Sequence, residues 1–180
     1  VTMKPHSLDL YYFTTDIKKH KSKKKELLSL INSATKNNYY GEVTTDYGLP
    51  IQEKNYFNYF IKLIDCYFKS IIKIFNTENI HVSEMWYQIY EKGQQHGWHT
   101  HGNAQFTNIY YLDLPYKSMQ TQFYDVVNKK SIEINVKEGQ IITIPTFICH
   151  RSAPNTTNKK KTIISFNSNI ELNDDSVPNQ

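Results

Sequence analysis

Cysteine is scarce in this chain, and the two present, Cys66 and Cys149, form neither a CxxC pair nor a disulfide framework. This scarcity favours a reducing environment, so we expect a cytoplasmic protein. The sequence also lacks an apolar run approaching the roughly 18 residues that a membrane-spanning helix needs. Its first residues contain no apolar segment of the kind found in signal peptides. We therefore expect no membrane partner.

Internal repeats and low-complexity linkers are absent too, and 180 residues is an ordinary length for one domain. We therefore expect a single domain over residues 1–180. The net charge is only +4, and much of the positive charge lies in one lysine-rich run at residues 18–25. No aromatic stacking pattern accompanies this run, as a nucleic-acid surface would require. We interpret it as a solvated loop that leads into a helix.

The first half of the sequence has helical periodicity. Residues 24–34 carry leucine and isoleucine near one face, and residues 53–75 repeat apolar side chains at spacings of three and four. Such a stripe is typical of a helix that covers a sheet. We predict a helical support region at residues 1–80, a β core at 81–170 and a tail at 171–180.

From residue 81 the apolar period changes to two, which indicates strands. The predicted strands are residues 82–90, 106–114, 121–127, 131–136, 140–144 and 162–167. Short strands separated by turn signals favour a sandwich or barrel over βαβ units. The expected fold class is therefore mainly β with N-terminal helices.

Histidines are the most informative polar residues, since three of the seven lie at positions 96, 99 and 101. In an extended segment, residues i and i+2 point to the same side, so His99 and His101 can enter one cavity. His96 shares that side only in a turn, and we rank it lower. His150 follows a predicted strand that Pro145 ends. Three imidazoles suit iron, zinc, copper or nickel, and three ligands leave positions open for substrate.

The C-terminal half resembles the double-stranded β-helix of the iron(II)/2-oxoglutarate-dependent oxygenases, closest to a branch of bacterial and phage hydroxylases with an HxH…H motif. Four segments match that branch in order: WHTHGN at 98–103, NIYYLDLP at 108–115, EGQIITIP at 138–145 with Cys149-His150, and TIISFN at 162–167. The resemblance implies a jelly-roll or cupin-like barrel supported by α-helices. It also implies Fe(II), 2-oxoglutarate and O2 as cofactor and co-substrates, and hydroxylation of a substrate with release of succinate and CO2.

The same resemblance suggests roles for individual residues. His99, His101 and His150 would form the catalytic metal site, although most relatives have a carboxylate where His101 stands. Lys161 lies where the family has a basic residue that pairs with the far carboxylate of 2-oxoglutarate, and Arg151 competes for this role. The further cofactor-binding candidates are Asn103, Tyr110 and Tyr111. Strand alternation allows only one of the two tyrosines to face the cavity.

Two alternatives remain open from the sequence. A cupin-like three-histidine dioxygenase would use a similar iron site without 2-oxoglutarate and without a basic anchor. A non-catalytic jelly-roll module would hold metal in a closed site, with His96 as the fourth ligand. For the enzyme, the substrate could be a small molecule, a peptidyl side chain or a nucleobase.

Overall fold

The computed structural model describes residue 4, residues 10–39 and residues 43–171, and at residues 37–39 it describes the backbone alone. The start of the predicted support region and nearly all of the predicted tail lie outside these residues. Three α-helices are described: α1 (His20–Ser33), α2 (Phe57–Leu63) and α3 (Asp65–Phe75). Single 3-10 turns cover Ile51–Glu53 and Lys117–Met119. Among the described helices, none combines the length and apolarity needed to cross a membrane.

The long helix predicted at residues 53–75 is divided into α2 and α3. Ile64 ends the first helix and precedes the second, with φ −95° and ψ 13°. No glycine or proline marks this break, and the apolar period continues across it, which is why the sequence predicts one helix. The end of α3 has a clear local cause: Asn76 adopts a left-handed conformation with φ 48°, which asparagine tolerates better than most residues.

In the part of the chain that the structure describes, eleven strands form two antiparallel sheets. The strands are β1 (Phe13–Asp16), β2 (Asn37–Tyr39), β3 (Val43–Thr45), β4 (Ile80–Tyr90), β5 (His96–His99), β6 (Phe106–Asp113), β7 (Thr121–Asp125), β8 (Lys130–Glu133), β9 (Gln140–Pro145), β10 (His150–Ser152) and β11 (Lys161–Ile170). The large sheet has the order β1-β9-β6-β11-β4-β3-β2, and the small sheet has the order β5-β10-β7-β8. The predicted mainly β, jelly-roll class is confirmed, but residues 1–80 contribute three strands as well as helices.

The large sheet separates two apolar cores, because alternate residues of its central strands point to opposite faces. On the outer face, Phe60, Tyr67 and other helix residues pack against Tyr87 and Phe166. On the inner face, Ile109, Ile163 and their neighbours pack between the two sheets. Strand β11 lies between β4 and β6, and both of its faces are buried because one packs into the outer core and the other into the inner core. The polar residues of the candidate site, described below, lie next to this inner core.

A buried polar network attaches α1 to the large sheet. The His20 ring contacts the Tyr110 hydroxyl at 2.7 Å and the Glu138 carboxylate at 3.1 Å. The Lys24 ammonium lies 2.9 Å from the second Glu138 oxygen. Burial opposes ionisation of Glu138, but hydrogen bonds from Lys24, from the Leu114 amide and from His20 outweigh it and lower its pKa to about 2. Glu138 is therefore a fixed anion that orients the start of α1.

Gly139 provides the first test, since its φ is +83° and an added Cβ would lie 2.8 Å from Cγ of the buried His20. We expect Gly139→Ala to lower the free energy of unfolding by at least about 2 kcal/mol more than Gly93→Ala, because a constrained ring must move. Gly93 has the same φ of +83° and open space at Cβ, so it carries only the backbone cost of about 1–2 kcal/mol. Urea unfolding of both variants measures the difference. Equal losses would contradict the proposed contact with His20.

Candidate metal centre

The pairing of β5 with β10 brings two distant histidines face to face. His99 and His150 are direct antiparallel partners in the small sheet. His101 follows β5, and its backbone N–H donates to the Thr146 carbonyl at 3.0 Å, which holds this loop against the turn before β10. One ring nitrogen from each of His99, His101 and His150 lies within 4.8 Å of the others. This is the spacing at which three imidazoles can bind one ion.

Backbone carbonyls set the orientation of two of these rings. Nδ1 of His99 lies 2.8 Å from the Gly97 carbonyl, and Nδ1 of His150 lies 2.8 Å from the Ile148 carbonyl. A carbonyl only accepts, so each Nδ1 carries the proton and each Nε2 keeps its lone pair. Metal-binding histidines are commonly held in this way, with the second nitrogen free for the metal.

Burial keeps the imidazoles of His101 and His150 uncharged. It is the main cause that lowers the pKa of His150 to about 3 and that of His101 to about 4, and the neighbouring His99 adds a smaller effect. Both rings are therefore neutral donors at neutral pH, which is the form that coordinates a metal. A hydrophobic wall supports them, since the Trp86 ring stacks on His101 at a centroid distance of 5.8 Å.

His96 lies beside this group without joining it. Its ring stacks on His99 at a centroid distance of 4.1 Å, and its Nδ1 is 2.9 Å from the Gln88 side-chain amide. Its ligand atoms fall outside the three-histidine group. Burial first, and then the charges of His99 and Lys161, lower its pKa to about 4. His96 therefore extends the cavity wall as a neutral ring.

A narrow slot runs from the histidines to Tyr90 and Ser152, the two residues that the side chain of Lys161, at the start of β11, contacts. The Lys161 side chain is only 1% exposed, and its ammonium donates to the Ser152 hydroxyl at 2.7 Å and lies 4.6 Å from the centre of the Tyr90 ring. Among the described residues, no carboxylate lies within 4 Å of it. Burial lowers the pKa of Lys161 to about 7. A buried cationic group in this condition favours an anionic partner.

The slot is tight and mostly apolar, with a few hydroxyl groups. Its volume is about 20 Å³, close to the space for one water molecule, so a longer ligand must displace lining side chains. Thr121 and Ser152 supply hydroxyls to it, while Ile109 and Ile163 supply apolar walls. Ser152 lies two residues after His150, so strand alternation could have identified it from the sequence.

The remaining residues predicted from the sequence lie in different surroundings. Tyr111 faces the space between the sheets, where its hydroxyl donates to Thr121 at 2.6 Å. Tyr110 is the correction: it points to the opposite face and contacts His20, because neighbours on a strand alternate. Arg151 is a second correction: it is one of the residues that border the slot, but its guanidinium stacks over the Trp98 ring at 4.4 Å on the outer side of the small sheet. Asn103 is exposed and lines neither the slot nor the neighbouring cavity.

A wider cavity of about 220 Å³ opens on the other side of the histidines. Its lining combines the histidine loop with β4 and with the β3 segment: Val43, Thr45, Tyr47, Trp86, Gln88, His96, His99, Thr100 and His101. The residues from the β3 segment had no motif or spacing that marked them in the sequence. The site thus has three histidines at its centre that are spaced closely enough to hold one ion, a slot next to the buried Lys161 on one side and an open cavity on the other.

This arrangement defines a class of protein, a jelly-roll domain with a three-histidine site open to small ligands. A family model described as "Putative 2OG-Fe(II) oxygenase" matches residues 84–132, which include His99 and His101. No curated protein matches the chain. The resemblance to the iron(II)/2-oxoglutarate-dependent oxygenase superfamily, an enzyme class, is therefore confirmed at the level of this family and of the fold described next.

Solved structures share the fold at low sequence identity. HygX from Streptomyces hygroscopicus, solved with nickel, 2-oxoglutarate and hygromycin B, aligns with a TM-score of 0.70 and 9% identity over 88% of this chain and 82% of that one. An oxidoreductase of the 2OG-Fe(II) oxygenase family from Burkholderia pseudomallei aligns at 0.69 and 8% identity, over 87% and 83%. The viral collagen prolyl hydroxylase of Paramecium bursaria Chlorella virus-1, solved with 2OG, aligns at 0.57 and 18% identity, over 91% and 97%.

The composition of the metal group yields a second test. We expect His150→Ala and His101→Ala each to weaken Ni(II) binding by at least about 100-fold, because each removes a ligand and not only its support. His96→Ala is the matched control in the same cavity and should weaken binding less than about tenfold. Calorimetric titration of each purified variant with Ni(II) measures these affinities. A loss in His96→Ala as large as in the others would instead indicate a closed four-histidine site.

Proposed function

We propose that this protein is an Fe(II)- and 2-oxoglutarate-dependent dioxygenase that hydroxylates a C–H bond of its substrate. The observation that carries the proposal is Lys161, a fully buried amine without a carboxylate partner among the described residues. It contacts Ser152 and Tyr90, which line the slot that begins at the three histidines. A dicarboxylate fits this arrangement, since one end can bind a metal held by the histidines and the other can pair with the Lys161 ammonium. The family match supports the same reaction.

In this proposal His99, His101 and His150 hold Fe(II). The backbone carbonyls of Gly97 and Ile148 orient the rings of His99 and His150, so that Nε2 of each ring is directed to the metal. The bound metal and 2-oxoglutarate together supply the oxidation: one atom of O2 enters succinate as CO2 leaves, and the other enters the substrate as a hydroxyl group. The protein contributes position, a dry slot and neutral ligands.

Lys161 has a defined task in the slot. Its ammonium pairs with the far carboxylate of 2-oxoglutarate, in exchange for or in addition to the Ser152 hydroxyl that it now contacts at 2.7 Å. The apolar walls at Ile109 and Ile163 exclude water along the carbon chain, which strengthens this charge pair. Lysine lacks the fork of arginine, so one oxygen of the carboxylate is left for the hydroxyls of the slot.

His101 departs from the two-histidine, one-carboxylate pattern of non-haem iron oxygenases. A neutral imidazole in place of a carboxylate leaves the metal site one unit more positive, which favours an anionic chelating co-substrate. The same donor set also fits a three-histidine dioxygenase that does not use 2-oxoglutarate. That second candidate has no use for a buried lysine, so the role of Lys161 separates the two functions.

The direct test is succinate release by the protein with Fe(II), O2 and 2-oxoglutarate, together with binding of 2-oxoglutarate to the Ni(II)-loaded form. Binding and substrate-dependent succinate formation would support the proposal. Absence of both would refute it.

Removing the Lys161 charge supplies the third test. We expect Lys161→Met to weaken 2-oxoglutarate binding to the Ni(II) form by about 10- to 100-fold, since a hydrogen bond between charged groups contributes roughly 1.5–3 kcal/mol. Lys159→Met, two residues before it on the exposed side of the loop, is the matched control and should bind normally. Calorimetry reports both affinities, and unchanged Ni(II) binding shows that the metal group is intact. Equal affinity in both variants would favour the three-histidine enzyme without 2-oxoglutarate.

The pH dependence of 2-oxoglutarate binding is the fourth test. Because burial lowers the pKa of Lys161 to about 7, the amine is protonated below pH 7 and must take up a proton to pair with the ligand above it. We expect the Kd to be constant below pH 7 and to rise by up to about tenfold per pH unit above it. Lys161→Arg stays charged at every pH tested and should lose this dependence. A wild-type Kd that is flat from pH 6 to 9 would contradict the assignment.

A further inference from the structure

The cavity beside the histidines continues into a second one. The first has a volume of about 220 Å³ and borders His99 and His101. The second has a volume of about 380 Å³ and extends over residues 47–52 and 83–86. Both are lined by Tyr47 and Trp86, so this aromatic pair stands at the boundary between them. The two form one groove that leads away from the metal group along β4.

The two parts of this groove differ in charge. Among the described residues that line the first part, none is an acid, a lysine or an arginine. Those that line the second part include one ionisable acid, Glu84, and no basic residue. Within the described residues, a ligand in the groove therefore meets no acid, lysine or arginine near the three histidines and a carboxylate further out.

The Glu84 carboxylate is positioned to contact a ligand in the groove. It lies two residues from Trp86 on the same face of β4, which corresponds to about 7 Å along the strand. One of its carboxylate oxygens accepts a hydrogen bond from the Asn167 side chain at 3.0 Å, and this contact orients the group. Within the described residues, no lysine or arginine lies within 4 Å of that carboxylate. The side chain is exposed to the groove.

The aromatic boundary is rigidly supported from below. Tyr47 packs edge-on against Trp86 at a centroid distance of 5.2 Å. Asp46, which precedes Tyr47, is buried and accepts hydrogen bonds from the Tyr87 amide and the Tyr56 hydroxyl, each at 2.9 Å. The buried Lys54 ammonium lies 3.0 Å from the same carboxylate. This buried ion pair fixes the loop that carries Tyr47.

Aromatic rings combined with a carboxylate form the kind of surface that recognises an amine or guanidinium group, through cation–π attraction and ion pairing. We propose that the groove selects an elongated substrate that is uncharged where it meets the metal group and carries a cationic amine or guanidinium further along, at Glu84 and the Tyr47–Trp86 pair. This inference rests on the proposed function and makes Glu84 a specificity-determining residue. Such a cation could belong to a lysine or arginine side chain of a polypeptide or to a free amine.

Trp86 makes binding in the groove measurable without turnover. The chain has two tryptophans, and the second, Trp98, lies on the outer side of the small sheet beneath Arg151. In the variant Trp98→Phe, tryptophan emission reports on the groove alone. The protein would be loaded with Ni(II) and 2-oxoglutarate and titrated with two sets of probes. One set is acetylated, amidated heptapeptides with an uncharged centre and lysine, acetyl-lysine or glutamate two residues away. The other is spermidine, agmatine and glucosamine, each with its N-acetylated counterpart.

We expect cationic probes of at least one set to bind about five- to tenfold more tightly than their acetylated counterparts, as an exposed ion pair combined with a cation–π contact allows. In Glu84→Gln this preference should disappear, and in Glu84→Lys the glutamate peptides should bind best. Glu78→Gln, an exposed acid that lines neither cavity, is the control and should keep the wild-type preference. A preference confined to peptides identifies a polypeptide substrate, and one confined to free amines identifies a small molecule.

Equal binding of cationic and acetylated probes in both sets, by protein that binds 2-oxoglutarate normally, would overturn the inference and leave the proposed function standing. A cationic preference that persists in Glu84→Lys would also overturn it. Failure of the wild type to bind 2-oxoglutarate would overturn the proposed function instead, and it would be seen before any probe is added.

Discussion

The antiparallel pairing of β5 with β10 is the constraint on which the site depends. It places His150 opposite His99 although the two are far apart in sequence, and it does so with backbone hydrogen bonds that are independent of any metal. The turn before β10 then holds the His101 loop through the Thr146 carbonyl. Because the rings are also oriented by the carbonyls of Gly97 and Ile148, little conformational entropy remains to be lost when an ion binds.

Because side chains alternate along each strand, the two faces of the large sheet have different roles. On β4, Tyr87 faces the helices while Trp86 and Gln88 face the histidines, and on β6 the same division separates Tyr110 from Tyr111. The outer face is secured by helices and by the His20–Glu138 network, so the inner face can carry polar residues that contribute less to stability. The free-energy cost of burying Lys161 is likewise offset by packing, because β11, the strand that carries it, is well packed and pairs with a strand on each side.

Much of this could be predicted from the sequence, for identifiable reasons. The period-two pattern predicted the main strands, because side chains alternate along a strand. The HxH spacing predicted that His99 and His101 share a side, and the structure places both beside His150, while metal binding by the three histidines stays a prediction. The division of the long helix at Ile64 could not be predicted, since no glycine or proline marks it. Strand alternation predicted that one of Tyr110 and Tyr111 faces the cavity, but it did not indicate which one. Tyr47 and Thr45 were missed because they reach the cavity only through long-range pairing of β3 with β4.

The distribution of charge gives the site a direction. A divalent cation held by three imidazoles would keep its full charge, and a protonated Lys161, which contacts Ser152 and Tyr90 of the slot, would add a further positive charge. Such an interior would favour a dianion, and an anion that reaches Lys161 would also restore the protonated state that burial disfavours. Among the described residues that line the groove, Glu84 is the only acid, and its carboxylate has the opposite preference. A dianionic co-substrate would thus be attracted to the Lys161 end of the site and a cationic substrate to the Glu84 end. Each would bind poorly at the opposite end. In the proposed reaction, this opposition would keep the slot free for the co-substrate.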